Sequence, residues 1–205
     1  MELFLSSDLN SQFLTFLAHY TRLVQTGRVK LVLLSNQALK LNEEGIIKFP
    51  SIPSLVTEDA QILTNIFSIA QYLANISFTE KILIGTDNQT LGQVLQVFEA
   101  QRKIQGGGLI DAFLQHLESR VFFVTNHVTL ADLFLYIHTY DVVSTWSDEE
   151  KSGKYVHFFR WFKQVQALPQ ISEINKTLGR IDVKPASPIS SLVDSSSTSK
   201  KKKNI

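Results

Sequence analysis

The chain has 205 residues, 44% of them hydrophobic and 19% charged, which is enough apolar material for a substantial core in one domain or two small ones. A wholly disordered or fibrous chain is excluded, and with 20 Lys and Arg against 19 Asp and Glu no overall basic field draws nucleic acid onto the whole surface. The absence of cysteine excludes disulfides, thiolate nucleophiles, Cys-ligated zinc and iron–sulfur clusters.

The charge is unevenly spread. The last 21 residues hold four lysines and one acid, Asp194, leaving 16 basic and 18 acidic residues over Met1–Lys184. No uncharged apolar run reaches the roughly 18 to 20 residues of a bilayer span, and Glu2 stands where a secretory leader carries positive charge. The expectation is a soluble, cytoplasmic protein, with a nuclear pool open to it through the basic end.

Met1 to Leu5 reads as a short strand, followed by Phe13, Leu14, Leu17, Leu23 and Val24 at helical spacing. Arg28 to Leu34 is Val- and Leu-rich and reads as a second buried strand, leading to a loop around Asn42 to Gly45. Pro50 and Pro53 keep Phe49 to Thr57 out of a helix and predict a strand led by Pro53, closed by an acidic turn at Glu58 and Asp59. Ile62, Ile66, Ile69, Ala70 and Leu73 fall on one apolar stripe and predict a helix.

From Thr86 onward strand signals stop. Thr86 with Gln89, Thr129 with Asp132 and Ser147 with Glu150 each set a hydroxyl three residues before an acceptor, the spacing of a capping box. Val128 and Leu133 add a hydrophobic staple to the second box. Gly106, Gly107 and Gly108 predict a break between helices, because each glycine costs a helix interior about 1 kcal/mol. Beyond it, one helix carries Ile110, Phe113, Leu114 and Leu117, another Leu130, Leu133, Phe134 and Ile137, and a last one Phe158, Trp161, Phe162 and Val165, ended or kinked by Pro169. After Ile181 the composition turns to Pro, Ser and Lys, with too little apolar surface to order it.

The order strand, helix, strand, proline-led strand, helix and then an all-helical half resembles the glutathione-transferase fold. Ile52-Pro53-Ser54-Leu55-Val56 resembles the segment in which that fold carries a cis-proline, which makes Pro53 the cis-proline candidate. Ile69-Ala70-Gln71-Tyr72-Leu73 resembles the end of the following helix, and Thr129-Leu130-Ala131-Asp132 the capping box of the helical half. The resemblance implies an α/β thioredoxin-like N-terminal subdomain (1–75), an all-α C-terminal subdomain (76–184) and a disordered Ser/Lys-rich tail (185–205).

Within that superfamily, Thr129 to Leu135, Glu149-Glu150-Lys151 and Arg160-Trp161-Phe162 with Gln166 and Pro169 are most similar to the auxiliary-subunit family of the multi-aminoacyl-tRNA synthetase complex, elongation factor 1 epsilon. Met1-Glu2-Leu3-Phe4-Leu5 is similar to the transferase-like domain of methionyl-tRNA synthetase. The resemblance implies a noncatalytic scaffold that docks onto aminoacyl-tRNA synthetases or other transferase-like translation factors. Two alternatives remain: a glutathione transferase, and the N-terminal docking domain of a longer synthetase or tRNA-binding protein. The enzymes place Glu or Gln and then Ser at the start of the third helix to hold the glutathione carboxylate. Here those positions are Asn65 and Ile66, and isoleucine donates no hydrogen bond.

The candidate residues divide accordingly. Ser6 and Ser7 stand where some transferases activate the thiol, and read as loop residues. The five histidines show no H-E-x-x-H pattern or close carboxylate pairing, so no metal or cofactor is expected. Thr129 and Asp132 are structural caps. Arg160 points away from the apolar stripe of its helix, and in the similar family the matching arginine joins a contact between transferase-like domains. Arg160, His157 and Gln164 are therefore the expected protein interface. Lys200, Lys201, Lys202 and Lys203 admit a weak, salt-sensitive RNA contact, an import signal or a solubilising end.

Overall fold

In the computed structural model, which describes residues 1–35, 38, 51–104 and 107–187, the first strand lies inside a four-stranded sheet. β1 (Glu2–Leu5) runs parallel to β2 (Lys30–Leu33) and antiparallel to β3 (Ser54–Val56), and β3 pairs antiparallel with β4 (Ile62–Leu63), giving the order β2-β1-β3-β4. Leu3 stands opposite Leu31 on one side and Leu55 on the other. Leu3 and Leu5 are buried while Glu2 and Phe4 are half-buried on the other face, the period-2 pattern of a strand covered mainly on one side.

The parallel β1–β2 pair needs a crossover, and α1 (Leu9–Tyr20) supplies it, with Phe13, Leu14, Phe16 and Leu17 turned inward. α2 (Ile66–Ile76) packs beside α1. Ile62 is not part of that helix as its spacing predicts: it lies in β4, and the Asn65 side chain caps α2 at the Ser68 N–H, 3.0 Å away.

Among the described residues seven helices follow: α3 (Glu80–Leu83), α4 (Asn88–Lys103), α5 (Gly107–Phe113), α6 (Leu130–Ser144), α7 (Asp148–Ser152), α8 (Val156–Gln166) and α9 (Pro169–Thr177). α6 is buried almost all round its first two turns and packs against α1, α4 and α8, so it is the axis of the molecule. Phe134 of α6 stacks on Phe98 of α4 at 4.0 Å and meets Phe13 of α1 edge-on at 5.1 Å. One apolar core therefore runs from the sheet through the helical half.

Two local readings are corrected, and the expected break between helices is found between Lys103 and Gly107. α4 is capped by Asp87, whose carboxylate accepts from the Thr90 N–H at 2.8 Å, one residue beyond Thr86. Gly107 and Gly108 begin α5, and Gly106 lies outside the described residues. Pro169 is the first residue of α9, where the missing N–H is one that a helix start leaves unbonded anyway.

Beyond α9, residues 180–187 form a strap without helix or strand. Val183 is its anchor: its N–H donates to Gln166 Oε1 at 3.0 Å, and its carbonyl accepts from Lys163 Nζ at 2.6 Å and Gln166 Nε2 at 3.3 Å. The expected tail thus begins inside a docked segment, since the Ser187 N–H still donates to Asp148 Oδ2 at 3.0 Å. The loop around Asn42 to Gly45 and Lys200 to Lys203 lie outside the described residues. No helix among the described residues is long and apolar enough to cross a membrane.

Candidate functional site

The Ile52–Pro53 bond is cis and Pro53 is buried where β3 begins. Asn65 is exposed and its side-chain oxygen is committed to capping α2. Ile66, the next residue, is half-buried and packs against the core. Ser6 sits at the end of β1 with its hydroxyl donated to Asp8 Oδ2 and its N–H to Ser11 Oγ at 3.0 Å. Burial pushes the Asp8 carboxyl up, but hydrogen bonds from Ser6 and Ser11 outweigh it and hold the group below its ordinary range. A hydroxyl held by an ionised carboxylate has its proton already placed. Ser7 is exposed, with its carbonyl accepting from Gln12 Nε2 at 3.1 Å.

Asp132 does more than close a capping box. Its Oδ2 accepts from the Thr129 N–H at 2.9 Å and the Thr129 hydroxyl at 2.8 Å, while Oδ1 accepts from the Phe123 N–H and the Trp161 Nε1–H, both at 2.9 Å. The carboxyl has no solvent exposure. Burial pushes its pKa up, and the four donors pull in the other direction. Three of those donors are N–H groups that can only donate, so they favour the ionised form that accepts from all of them. The spacing to Thr129 reveals the box, but nothing local reveals Phe123 or Trp161.

Phe158, Trp161, Phe162 and Val165 of α8 are buried, and Arg160 and Gln164 are exposed on the opposite side with a half-buried His157. The exposed placement of Arg160 carries an unexpected contact. Its Nη2 donates to the carbonyls of Leu117 at 2.6 Å, Arg120 at 3.1 Å and Glu118 at 3.3 Å, closing the turn that follows α5. The guanidinium is not a free surface charge. It is fixed by the turn, with its remaining donors unbonded to any described residue, a pre-oriented fork on the outer face.

The sheet order, the cis Ile52–Pro53 bond and the buried helical half define a protein of the glutathione-transferase fold. The GST-like domain of elongation factor 1-gamma from Saccharomyces cerevisiae superposes with a TM-score of 0.64 at 19% identity, over 91% of this chain and 97% of that one. Glutathione S-transferase unclassified 2 from Bombyx mori gives 0.63 at 18% identity, over 87% and 94%. A family model described as nuclear-export cofactor Arc1p matches residues 93–169. Eukaryotic translation elongation factor 1 epsilon-1 of Cricetulus griseus is 30% identical over 131 residues, 60% of this chain and 74% of that protein. Its Mus musculus counterpart is 28% identical over 132 residues, with the same shares covered. The chain belongs to the elongation factor 1 epsilon family, a transferase-like group associated with translation.

Proposed function

We propose that the protein is a noncatalytic docking subunit of the translation apparatus that binds the transferase-like domain of an aminoacyl-tRNA synthetase, methionyl-tRNA synthetase or one similar, in the cytoplasm. The observation that carries this reading is the outer face of α8, where Arg160 is clamped on three carbonyls with part of its fork still available, flanked by His157 and Gln164 at helical spacing. A fixed arginine loses little conformational freedom on binding and pairs bidentately with a carboxylate, which is why arginines are prominent among interface hot spots. Family membership supplies the translation setting. The side chains at the glutathione position, Asn65 capping α2 and Ile66 packed on the core, favour docking over conjugation.

The test is calorimetric titration of the full chain against the transferase-like domain of methionyl-tRNA synthetase. Because Arg160→Ala also opens the turn at Leu117, the informative partner is the double variant His157→Ala/Gln164→Ala, which leaves that turn closed. Both are expected to weaken binding by about tenfold or more, with Arg160→Lys in between. Wild-type affinity in the double variant and in Arg160→Lys would remove α8 from the interface. In parallel, neither retention on immobilised glutathione nor conjugation is expected, and either would favour the enzyme reading.

A further inference from the structure

The strap reaches α7 through an exposed serine. Ser187 donates its N–H to Asp148 Oδ2 at 3.0 Å, at the end of a segment that carries neither helix nor strand. Its hydroxyl faces the same carboxylate: hydrogen bonds from the Ser187 hydroxyl first, and then from its N–H, hold the Asp148 carboxyl below its ordinary range. Of the five prolines in the chain only Pro188 follows a serine or threonine, in the sequence Pro185-Ala186-Ser187-Pro188. Proline has no N–H to commit to a helix or sheet, and it biases the residue before it toward extended backbone. Protein kinases take their substrates as extended segments, so Ser187 combines an exposed position, a suitable backbone and a sequence context that occurs once.

The dock is acidic. Asp148, Glu149 and Glu150 fill the first turn of α7, all three exposed, and Glu150 is turned back to accept from the Ser147 N–H at 2.8 Å. The cation of this turn, Lys151, is buried and already stands 3.8 Å from Asp148 Oδ1, while Lys184 is exposed on the strap itself. A phosphate ester carries about 1.5 to 2 negative charges at pH 7 and three strong acceptor oxygens. Set beside a carboxylate that also only accepts, it exchanges a hydrogen bond for like-charge repulsion.

We propose that Ser187 is a phosphorylation site for a proline-directed protein kinase, and that the phosphate releases the end of the strap from α7. The Ser187 oxygen attacks the γ-phosphorus of ATP as the bond from that phosphorus to ADP breaks, and the hydroxyl proton passes to the kinase's base. The release stops at Val183, which Gln166 and Lys163 hold independently of Asp148.

The experiment incubates the full chain with magnesium ATP and a mitogen-activated protein kinase, and maps the phosphate by mass spectrometry. Phosphate is expected on Ser187, to be absent from that peptide in Ser187→Ala and to be mostly lost in Pro188→Ala. Asp148→Ala leaves the motif intact and should raise the rate about twofold or more, because the serine must leave its dock to be modified. Ser187 and Asp148 are both exposed, so these variants keep the fold. The second readout is the backbone heteronuclear NOE. In the phosphorylated chain it should fall at Ala186 and Ser187 to the level of unmodified Asp148→Ala, and stay unchanged at Val183. No phosphate on Ser187 from a kinase that modifies a control peptide, or equal incorporation in Pro188→Ala, would overturn the site. An NOE at Ala186 and Ser187 that stays the same or rises, as it would if the phosphate paired with Lys184 or Lys151, would overturn the release. Synthetase docking at α8 is read from a different partner and different variants, so either proposal can fail alone.

Discussion

Four hydrogen bonds from three stretches of chain end on the one carboxylate of Asp132. Losing a helix cap costs about 0.5 to 2 kcal/mol, but Asp132→Ala also leaves the Phe123 and Trp161 N–H groups without an acceptor, and each unsatisfied buried donor adds about 1 to 3 kcal/mol. The expected loss is therefore about 2.5 to 8 kcal/mol in urea denaturation. Asp132→Asn should also destabilise, by less than Asp132→Ala, because its NH₂ end faces two N–H donors if turned to Phe123 and Trp161 and the Thr129 N–H if turned the other way. A loss within the cap range alone would show that Trp161 and Phe123 find other partners. Arg160 gives a contrasting case. Arg160→Ala should lower stability by about 0.5 to 1.5 kcal/mol, the net worth of a typical internal hydrogen bond, where a solvated surface charge would give no change.

At the scale of elements, the strap is held by a side-chain amide that imitates a strand partner. Gln166 both accepts from the Val183 N–H and donates to its carbonyl. Gln166→Leu keeps the volume and removes both bonds, so hydrogen exchange at the Val183 amide should quicken by at least about tenfold while amides of α6 stay protected. Unchanged exchange would mean that the apolar contact of Val183 alone docks the strap. Deleting residues 188–205, which begin after the Asp148 contact, should leave the melting temperature unaltered.

These elements also show how far the sequence could be read. The box of Thr129 and Asp132 and the proline before β3 were legible because their chemistry is local, within three residues. β4 was hidden because Ile62 falls in phase with the apolar stripe of α2, and two residues are too few to show a strand period. α9 was hidden because proline both stops one helix and starts another. Lys151 sits in an acidic, surface-like stretch, and only the packing of α7 with α8 makes it buried. Arg160 was legible as outward-pointing, but its carbonyl partners lie forty or more residues before it.

For the molecule as a whole, the join between sheet and helical half contains a titratable group. His138 of α6 places Nδ1 2.9 Å from the Phe134 carbonyl and Nε2 3.1 Å from the Asn10 side-chain oxygen on α1. Burial pushes its pKa below the ordinary histidine value, against the Phe134 bond and the Asp8 charge, which favour the proton. The unfolded chain then binds the proton more readily than the folded one, so this stabilisation is complete above about pH 6.5 and is lost as pH falls toward the lower folded value. His19 is shifted the same way by burial. Asp132, which burial pushes up, acts in the opposite sense, its share being lost as pH rises. Melting temperature should fall between pH 7 and 5 in the wild type and fall less in His138→Gln, and parallel curves would assign the acid sensitivity elsewhere.

The Phe13–Phe134 contact also sets the order of events during synthesis. α1 leaves the ribosome early, but its inner face is covered by α6 and α9, which are translated much later. At about 5 to 20 residues per second, the apolar side of α1 waits on the order of ten seconds for its cover. A nascent chain stalled before Thr129 should be captured by holdase chaperones and cut readily by proteases, and one stalled well beyond Thr177 should be resistant to both. The N-terminal subdomain is therefore a late folder despite being made first, its core closing only once α9 has emerged.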